Sequence, residues 1–191
     1  MVVDMQNAFA SKGGMFDLSG IDISGARHVI EVLKEVLETA RHTGFQVVYL
    51  QMGYDSKLTS SGGPESPNWH KELALLLMRK RPELKGKVLT EGQWDWEVVE
   101  ELRPHLEDLV VNKTRYSGFC GTPLDSMLRT RSIKTLLFTG IATKFALNPR
   151  CATHFSSITG QCCCMTLRCR PALPCCRKPQ FATWKIISGG L

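Results

Sequence analysis

Residues 24–50 carry the pattern that most restricts the fold. Val29, Ile30, Leu33, Val36, Leu37 and Ala40 recur at three- and four-residue steps, which is the single apolar stripe of an amphipathic helix. Ser24 stands where a cap belongs, and Gly44 follows the last turn as helix-ending glycines do. Phe45-Gln-Val-Val-Tyr-Leu50 comes next, a β-branched and aromatic strand. Met1-Val-Val-Asp-Met-Gln-Asn7 precedes the helix as a short apolar strand ending in an acid. Two strands joined through a helix pair in parallel, because the crossover returns the chain to the same end of the sheet.

The pattern continues to residue 143. Residues 51–70, with Gly53, Ser60-Ser-Gly-Gly-Pro64 and Ser66-Pro67, form a long loop of the kind that often carries function. Residues 70–78 and 96–106 read as helices and 108–112 as a strand. Thr122-Pro123 opens a helix over 123–130, and 135–138 is a buried strand leading into the small-residue crossing Thr139-Gly-Ile-Ala-Thr143. The expected fold is α/β, a three-layer α/β/α domain with a central, mostly parallel sheet. Such sheets bind ligands beyond the carboxyl ends of their strands, and Asp4, Lys113 and the crossing stand at those ends.

Composition changes abruptly after the crossing. Residues 1–143 hold 17 Lys+Arg and all 18 Asp+Glu, a net charge of −1, whereas residues 144–191 hold 7 Lys+Arg and no acid, a net +7. The overall +6 therefore belongs to the tail and is no nucleic-acid signature of the domain. Cysteine divides the same way, Cys120 alone in the first part and seven in the second. Two regions follow: a domain over 1–143 and an aberrant, basic, Cys-rich tail over 144–191. No apolar run approaches the ~18 residues of a membrane span, and no signal-peptide pattern opens the chain, so a soluble cytoplasmic protein with no membrane partner is expected. Only about three residues precede Asp4 in its strand, where ~5 to 6 are usual, so the chain reads as beginning inside it.

An acid, an amine and a helix start at one sheet edge suit nucleophilic hydrolysis. A cysteine at the helix start has its thiolate favoured by the helix dipole and a nearby ammonium, and a carboxylate takes and returns its proton. Backbone N–H groups at the crossing are placed to hold the developing oxyanion.

Val2-Val-Asp-Met-Gln-Asn7, Asn112-Lys-Thr-Arg-Tyr-Ser-Gly-Phe119 with Thr122-Pro-Leu-Asp125, and Phe138-Thr-Gly-Ile-Ala-Thr143 resemble the isochorismatase-like cysteine hydrolases. Ser66-Pro-Asn-Trp-His-Lys71 and Gly92-Gln-Trp-Asp95 narrow the resemblance to the branch acting on ureidoacrylate in pyrimidine degradation. The resemblance covers residues 1–143 and implies an Asp–Lys–Cys triad without metal or other cofactor. It makes Asp4 the general base and proton carrier and Lys113 the stabilising charge, and it leaves room for a homo-oligomer. Asn68, Trp94, Tyr116 and His70 lie on loops where a small-molecule substrate's carboxylate or ureido group would bind. Packing is the competing role for Trp94, and solvent exposure for His70. Cys120, on a glycine-rich loop, fits a small filler better than a substitute nucleophile.

The family's nucleophile falls three residues after Thr143, and this chain has Ala146 there. A methyl group cannot attack a carbonyl, so the chain as written is expected to be inactive. Codons allowed for Lys144 to Thr153, read from the third base of the lysine codon, permit Ile-Cys-Val-Glu-Ser-Thr-Leu-Arg-Asp, the family's motif. One lost base in codon 144, with residues 144–191 out of frame, explains the missing acids, the excess cysteine and the lost periodicity together. Losing the helix after the crossing and the last strand is also expected to leave one sheet edge unpaired and apolar surface exposed, which invites aggregation. Rival readings are a non-catalytic family remnant that binds small acids or pairs with intact subunits, a metal cluster of the tail cysteines and a basic nucleic-acid arm. A disulfide framework conflicts with the absence of a secretion signal.

Overall fold

The computed structural model describes residues 1–141 and the backbone of residues 161–164. Ala146 and the tail's other cysteines and arginines lie outside the described side chains, as do the roles expected of them. Five parallel strands form the sheet: β1 (Val2–Val3), β2 (Val48–Met52), β3 (Leu109–Lys113), β4 (Thr135–Gly140) and β5 (Gln161–Cys164). Their spatial order is β3-β2-β1-β4-β5, so the chain winds outward from β1 to one side and then returns to build on the other. That reversal opens a crevice between the carboxyl ends of β1 and β4, where doubly wound sheets bind ligands.

Alternation along the strands divides the core into two layers. Val2 and Tyr49 face the long helix α3 (Ala26–His42), whose Ala26, Val29, Ile30, Leu33 and Leu37 are buried against them. Val3, Val48, Leu50, Val111, Leu136 and Phe138 pack on the other face with Leu124 and Leu128 of α6 (Leu124–Thr130). The three-layer α/β/α architecture is therefore as the sequence led one to expect. A third cluster caps the carboxyl ends of the strands. It joins Ala8 and Phe9 of α1 (Asn7–Ala10), Met15 of α2 (Met15–Leu18), Met52, Tyr54, and Ala74, Leu75, Leu77 and Met78 of a later helix.

Several local expectations need correction. Residues 96–106 form no α-helix; a single 3-10 turn covers Glu100–Leu102, and Leu106 is fully exposed. Their backbone is used elsewhere: Asn7 N–H donates to Glu97 O, Ala8 N–H to Asp95 O and Val99 N–H to Met5 O, and Gln6 pairs antiparallel with Val98. Pro104 lacks an N–H and cannot extend the turn. The helix expected over 70–78 is two, α4 (Pro67–Lys71) and α5 (Leu73–Lys80), divided at Glu72, whose ψ of 126° is extended. Ser24 does not cap α3; Gly25 is the cap residue and makes no side-chain bond. Strand β2 begins at Val48 rather than Phe45, and Phe45 is exposed. Strand β5 pairs with β4, with Thr135 opposite Gln161 and Phe138 opposite Cys164.

The crossing is tightly built. A Cβ placed on Gly140 would lie 2.1 Å from the Val3 carbonyl oxygen, and its φ of +142° is one that L side chains rarely adopt. Gly140→Ala is therefore expected to cost on the order of 3 kcal/mol, because the clash is with backbone and β1 would have to move. A urea unfolding midpoint equal to that of the native chain would show that β1 and β4 tolerate separation.

Candidate active site

Asp4 follows β1 and Lys113 closes β3, with β2 between them. Two strand spacings, roughly 10 Å, separate their backbones, a gap only a long side chain can cross. Lys113 spans it, and Asp4 turns to meet it by adopting φ +55°. Left-handed backbone costs an L-residue roughly 1 kcal/mol, least for Asp and Asn. The Asp4 N–H donates to Leu50 O at 3.0 Å, which fixes the turn. Lys113 Nζ donates to Asp4 Oδ2 at 3.2 Å and lies 3.0 Å from Oδ1 as a charge contact outside hydrogen-bond geometry. Lys113 is 1% exposed and Asp4 4%. Burial pushes the Asp4 carboxyl above its ordinary range, and the charge of Lys113 opposes that shift.

Around this pair the loops bring four further polar side chains. Glu72 is buried and caps α5, its Oε2 accepting the N–H of Ala74 at 2.8 Å and of Leu75 at 3.3 Å. Burial raises its pKa as well, against the backbone donors and the charge of Lys113. Tyr116, half-buried, has its phenol pushed up to about 12 by burial and by the charges of Glu72 and Asp4. Tyr54 is buried and accepts the Asn68 Nδ2–H at 3.0 Å. Arg115 Nη1 donates to Ser60 O at 2.9 Å and so ties the segment after β3 to the long loop.

Such a site offers a proton acceptor, a fixed cation and hydrogen-bonding groups at the mouth of the sheet's crevice. The isochorismatase domain matches residues 1–152. The chain belongs to the isochorismatase family. Members similar to it include ureidoacrylate amidohydrolases of Caulobacter segnis and Agrobacterium fabrum, 57% and 54% identical over 143 residues. Those matches take in 75% of this chain but 60% and 63% of the relatives, so it spans about three-fifths of their length. Among solved structures, a cysteine hydrolase from Pseudomonas syringae pv. phaseolicola has a TM-score of 0.61 at 26% identity, covering 80% of this chain and 64% of that one. A nicotinamidase from Bacillus subtilis has 0.62 at 20% identity over 85% of this chain and 80% of its own, a likeness of fold alone.

In this isochorismatase-family chain, the other residues singled out from sequence fall in different places. Asn68 is 5% exposed and works inside the loop, donating to Tyr54 Oη and to Ser61 O. Lys71 Nζ lies 5.9 Å from the Tyr116 ring centroid, and the charges of Glu72 and Asp4 act on the Tyr116 phenol. The Trp94 side chain is 51% exposed, and its carbonyl accepts the Asn7 Nδ2–H at 2.9 Å. Its neighbour Asp95 is the interior residue, accepting Met15 N–H at 3.1 Å and Leu89 N–H at 2.7 Å. His70 is exposed, 2.7 Å from Pro64 O, and Cys120 is exposed. Sequence reasoning missed Glu72, Tyr54 and Arg115. An acid heading the apolar run Leu73-Ala-Leu-Leu-Leu-Met78 was the available signal for Glu72. Among the described residues no helix is long and apolar enough to cross a membrane.

The buried acids set a pH dependence. Asp4, Glu72 and Asp95 are all raised by burial, so the folded protein keeps their protons to higher pH than the unfolded chain. Unfolding then releases protons, and stability is expected to fall as pH climbs above the ordinary range of 3.8 to 4.5, levelling once all three have ionised. Asp55, held low by the Ser60 and Thr59 donors, works the other way and loses its contribution as pH falls below 3.8. Urea midpoints measured from acid to neutral pH check the sign; a steady rise over that span would contradict it.

Proposed function

We propose that residues 1–143 are the greater part of an amidohydrolase domain that cleaves the ureido C–N bond of ureidoacrylate or a related linear amide through an Asp–Lys–Cys triad. The observation that carries this reading is the buried Asp4–Lys113 pair at the sheet's switch point. The 57% identity to a ureidoacrylate amidohydrolase supports the substrate class, and we place the reaction in cytoplasmic pyrimidine degradation. In the complete reaction, Asp4 takes the thiol proton as the thiolate attacks the ureido carbonyl. Backbone N–H groups at the crossing hold the oxyanion, and Asp4 returns the proton to the departing amine. Water then cleaves the resulting S-carbamoyl intermediate, with Asp4 taking and returning a proton a second time. Tyr116, Asn68 and Trp94 are assigned to the substrate's polar ends, Asn68 through Tyr54.

The nucleophile belongs at position 146, where the sequence has alanine. The reading therefore includes one lost base in codon 144. The loss of every acid after residue 143 supports it, as does the 143-residue span of the alignments to the relatives. As written, the chain is a non-catalytic family member that retains the acid, the lysine and the loops. Two measurements test this. Resequencing codons 143 to 146 should reveal a dropped base, and an intact frame there removes the frameshift. A frame-restored protein should release ammonia or carbamate from ureidoacrylate faster than it hydrolyses nicotinamide; equal or reversed preference removes the substrate assignment.

A further inference from the structure

Strand β3 leaves one edge of the sheet open. It is the outermost strand, and its odd-numbered residues bond inward, Leu109 N–H donating to Val47 O and Lys113 O accepting Gly53 N–H, each at 3.0 Å. Backbone groups alternate in direction along a strand, so those of Val110 and Asn112 turn outward, where the described residues offer no partner. Sheets commonly guard such an edge with a proline, a bulge or an outward charge. Leu109-Val-Val-Asn112 has no proline, its register with β2 is unbroken, and Lys113 points inward to Asp4. The edge is apolar as well. Val110 is 44% exposed, Leu106 fully and Phe45 60%. Gln46 Nε2 donates to Glu107 O at 3.1 Å, which brings Phe45 and Leu106 to the amino end of β3. Half of the large apolar side chains exposed among the described residues therefore gather at one edge, and such patches mark interaction surfaces.

We propose that the outer edge of β3 is a dimer interface, at which a second copy of this chain pairs its own β3 antiparallel across a two-fold axis. Open backbone groups dictate that the occupant is a strand, and which groups are open dictates its register. With Val111 of the two copies opposite one another, Val110 of each faces Asn112 of the other, and every outward N–H and C=O of the two residues is bonded. A shift of two residues either way loses bonds. It calls on Asp108, whose N–H is given to His105 O, or on Thr114, whose carbonyl is taken by Arg115 Nη1. The favoured register also carries Glu107 of each copy toward Arg115 of the other, and Glu107 is exposed with no ion pair among the described residues. Opposite charges thus meet at both ends of the paired segment, and the edge is self-complementary, as a two-fold contact requires. The interface does not depend on the hydrolase reading.

Sedimentation velocity of the full chain, run from about 5 to 500 µM, tests the proposal together with residue-resolved hydrogen exchange. A contact of one strand pair and a small apolar patch predicts a dissociation constant on the order of 10 to 100 µM. The Val110 and Asn112 amides should exchange about tenfold or more slowly at the high concentration than at the low one. Val110→Lys places a charge on the edge without touching the core; it should stay monomeric throughout and keep the native urea midpoint. A chain that is monomeric at about 500 µM overturns the proposal. So does a dimer whose Val110 and Asn112 amides exchange as fast as the monomer's, or one that Val110→Lys leaves intact. The exchange measurement uses the native chain, so it decides the matter even if Val110→Lys does not fold.

Discussion

The purified chain of this sequence is expected to leave ureidoacrylate at its uncatalysed rate of hydrolysis, and the frame-restored protein to exceed it by on the order of 10^4 or more. The reason is chemical: Asp4 can take a proton, but Ala146 offers none and forms no bond to carbon. On the proposed mechanism, a sulfur restored at 146 would use the buried Asp4 as its base and Lys113 as the charge that favours thiolate. In the restored protein, Asp4→Asn and Lys113→Met should each return the rate close to that of the chain as written, because the members of the proposed triad would act as a unit and their losses would not add. Turnover by the unrestored chain would refute the assignment of position 146. Retention of more than about a tenth of the restored rate by Lys113→Met would remove lysine from the chemistry.

Lys113→Met is expected to destabilise the chain by about 3 to 5 kcal/mol at neutral pH, even though methionine fills the same space. The lysine side chain is fully buried, and its removal leaves the buried Asp4 carboxylate without its cation. The effect has a pH signature. Asp4, already raised by burial, rises further once Lys113 is gone, so the loss should shrink as pH falls and the carboxyl is protonated. The double variant Asp4→Asn with Lys113→Met should recover much of the deficit, since no orphaned charge remains at that position. Chemical unfolding of the single and double variants measures both. Equal destabilisation of the two, unchanged with pH, would mean that packing rather than charge holds the pair in place.

Where sequence reasoning succeeded, the signal was local and periodic. The stripe from Val29 to Leu37 is the buried face of α3, and Gly44, at φ +77°, follows its end. Where it failed, the backbone had been used by distant partners. Trp96 to Leu106 has helical spacing at Val98, Val99 and Leu102, yet Val99 donates to the Met5 carbonyl and Glu97 O accepts from Asn7, partners about ninety residues away. No window over the segment contains those partners. Glu72 was passed over for a related reason: an acid heading an apolar run reads as an ordinary helix start, and only its burial sets it apart.

The sequence by itself determined the strand–helix–strand order, the change of composition after residue 143, and the types of group at the strand ends, because each depends on neighbours within a turn or two. Tertiary structure decided that β3 lies two places from β1 and that Asp4 turns left-handed to meet a lysine 109 residues away. Proximity across a sheet follows from strand order and twist, and burial from the packing of whole layers. Neither is a property of any single stretch of chain.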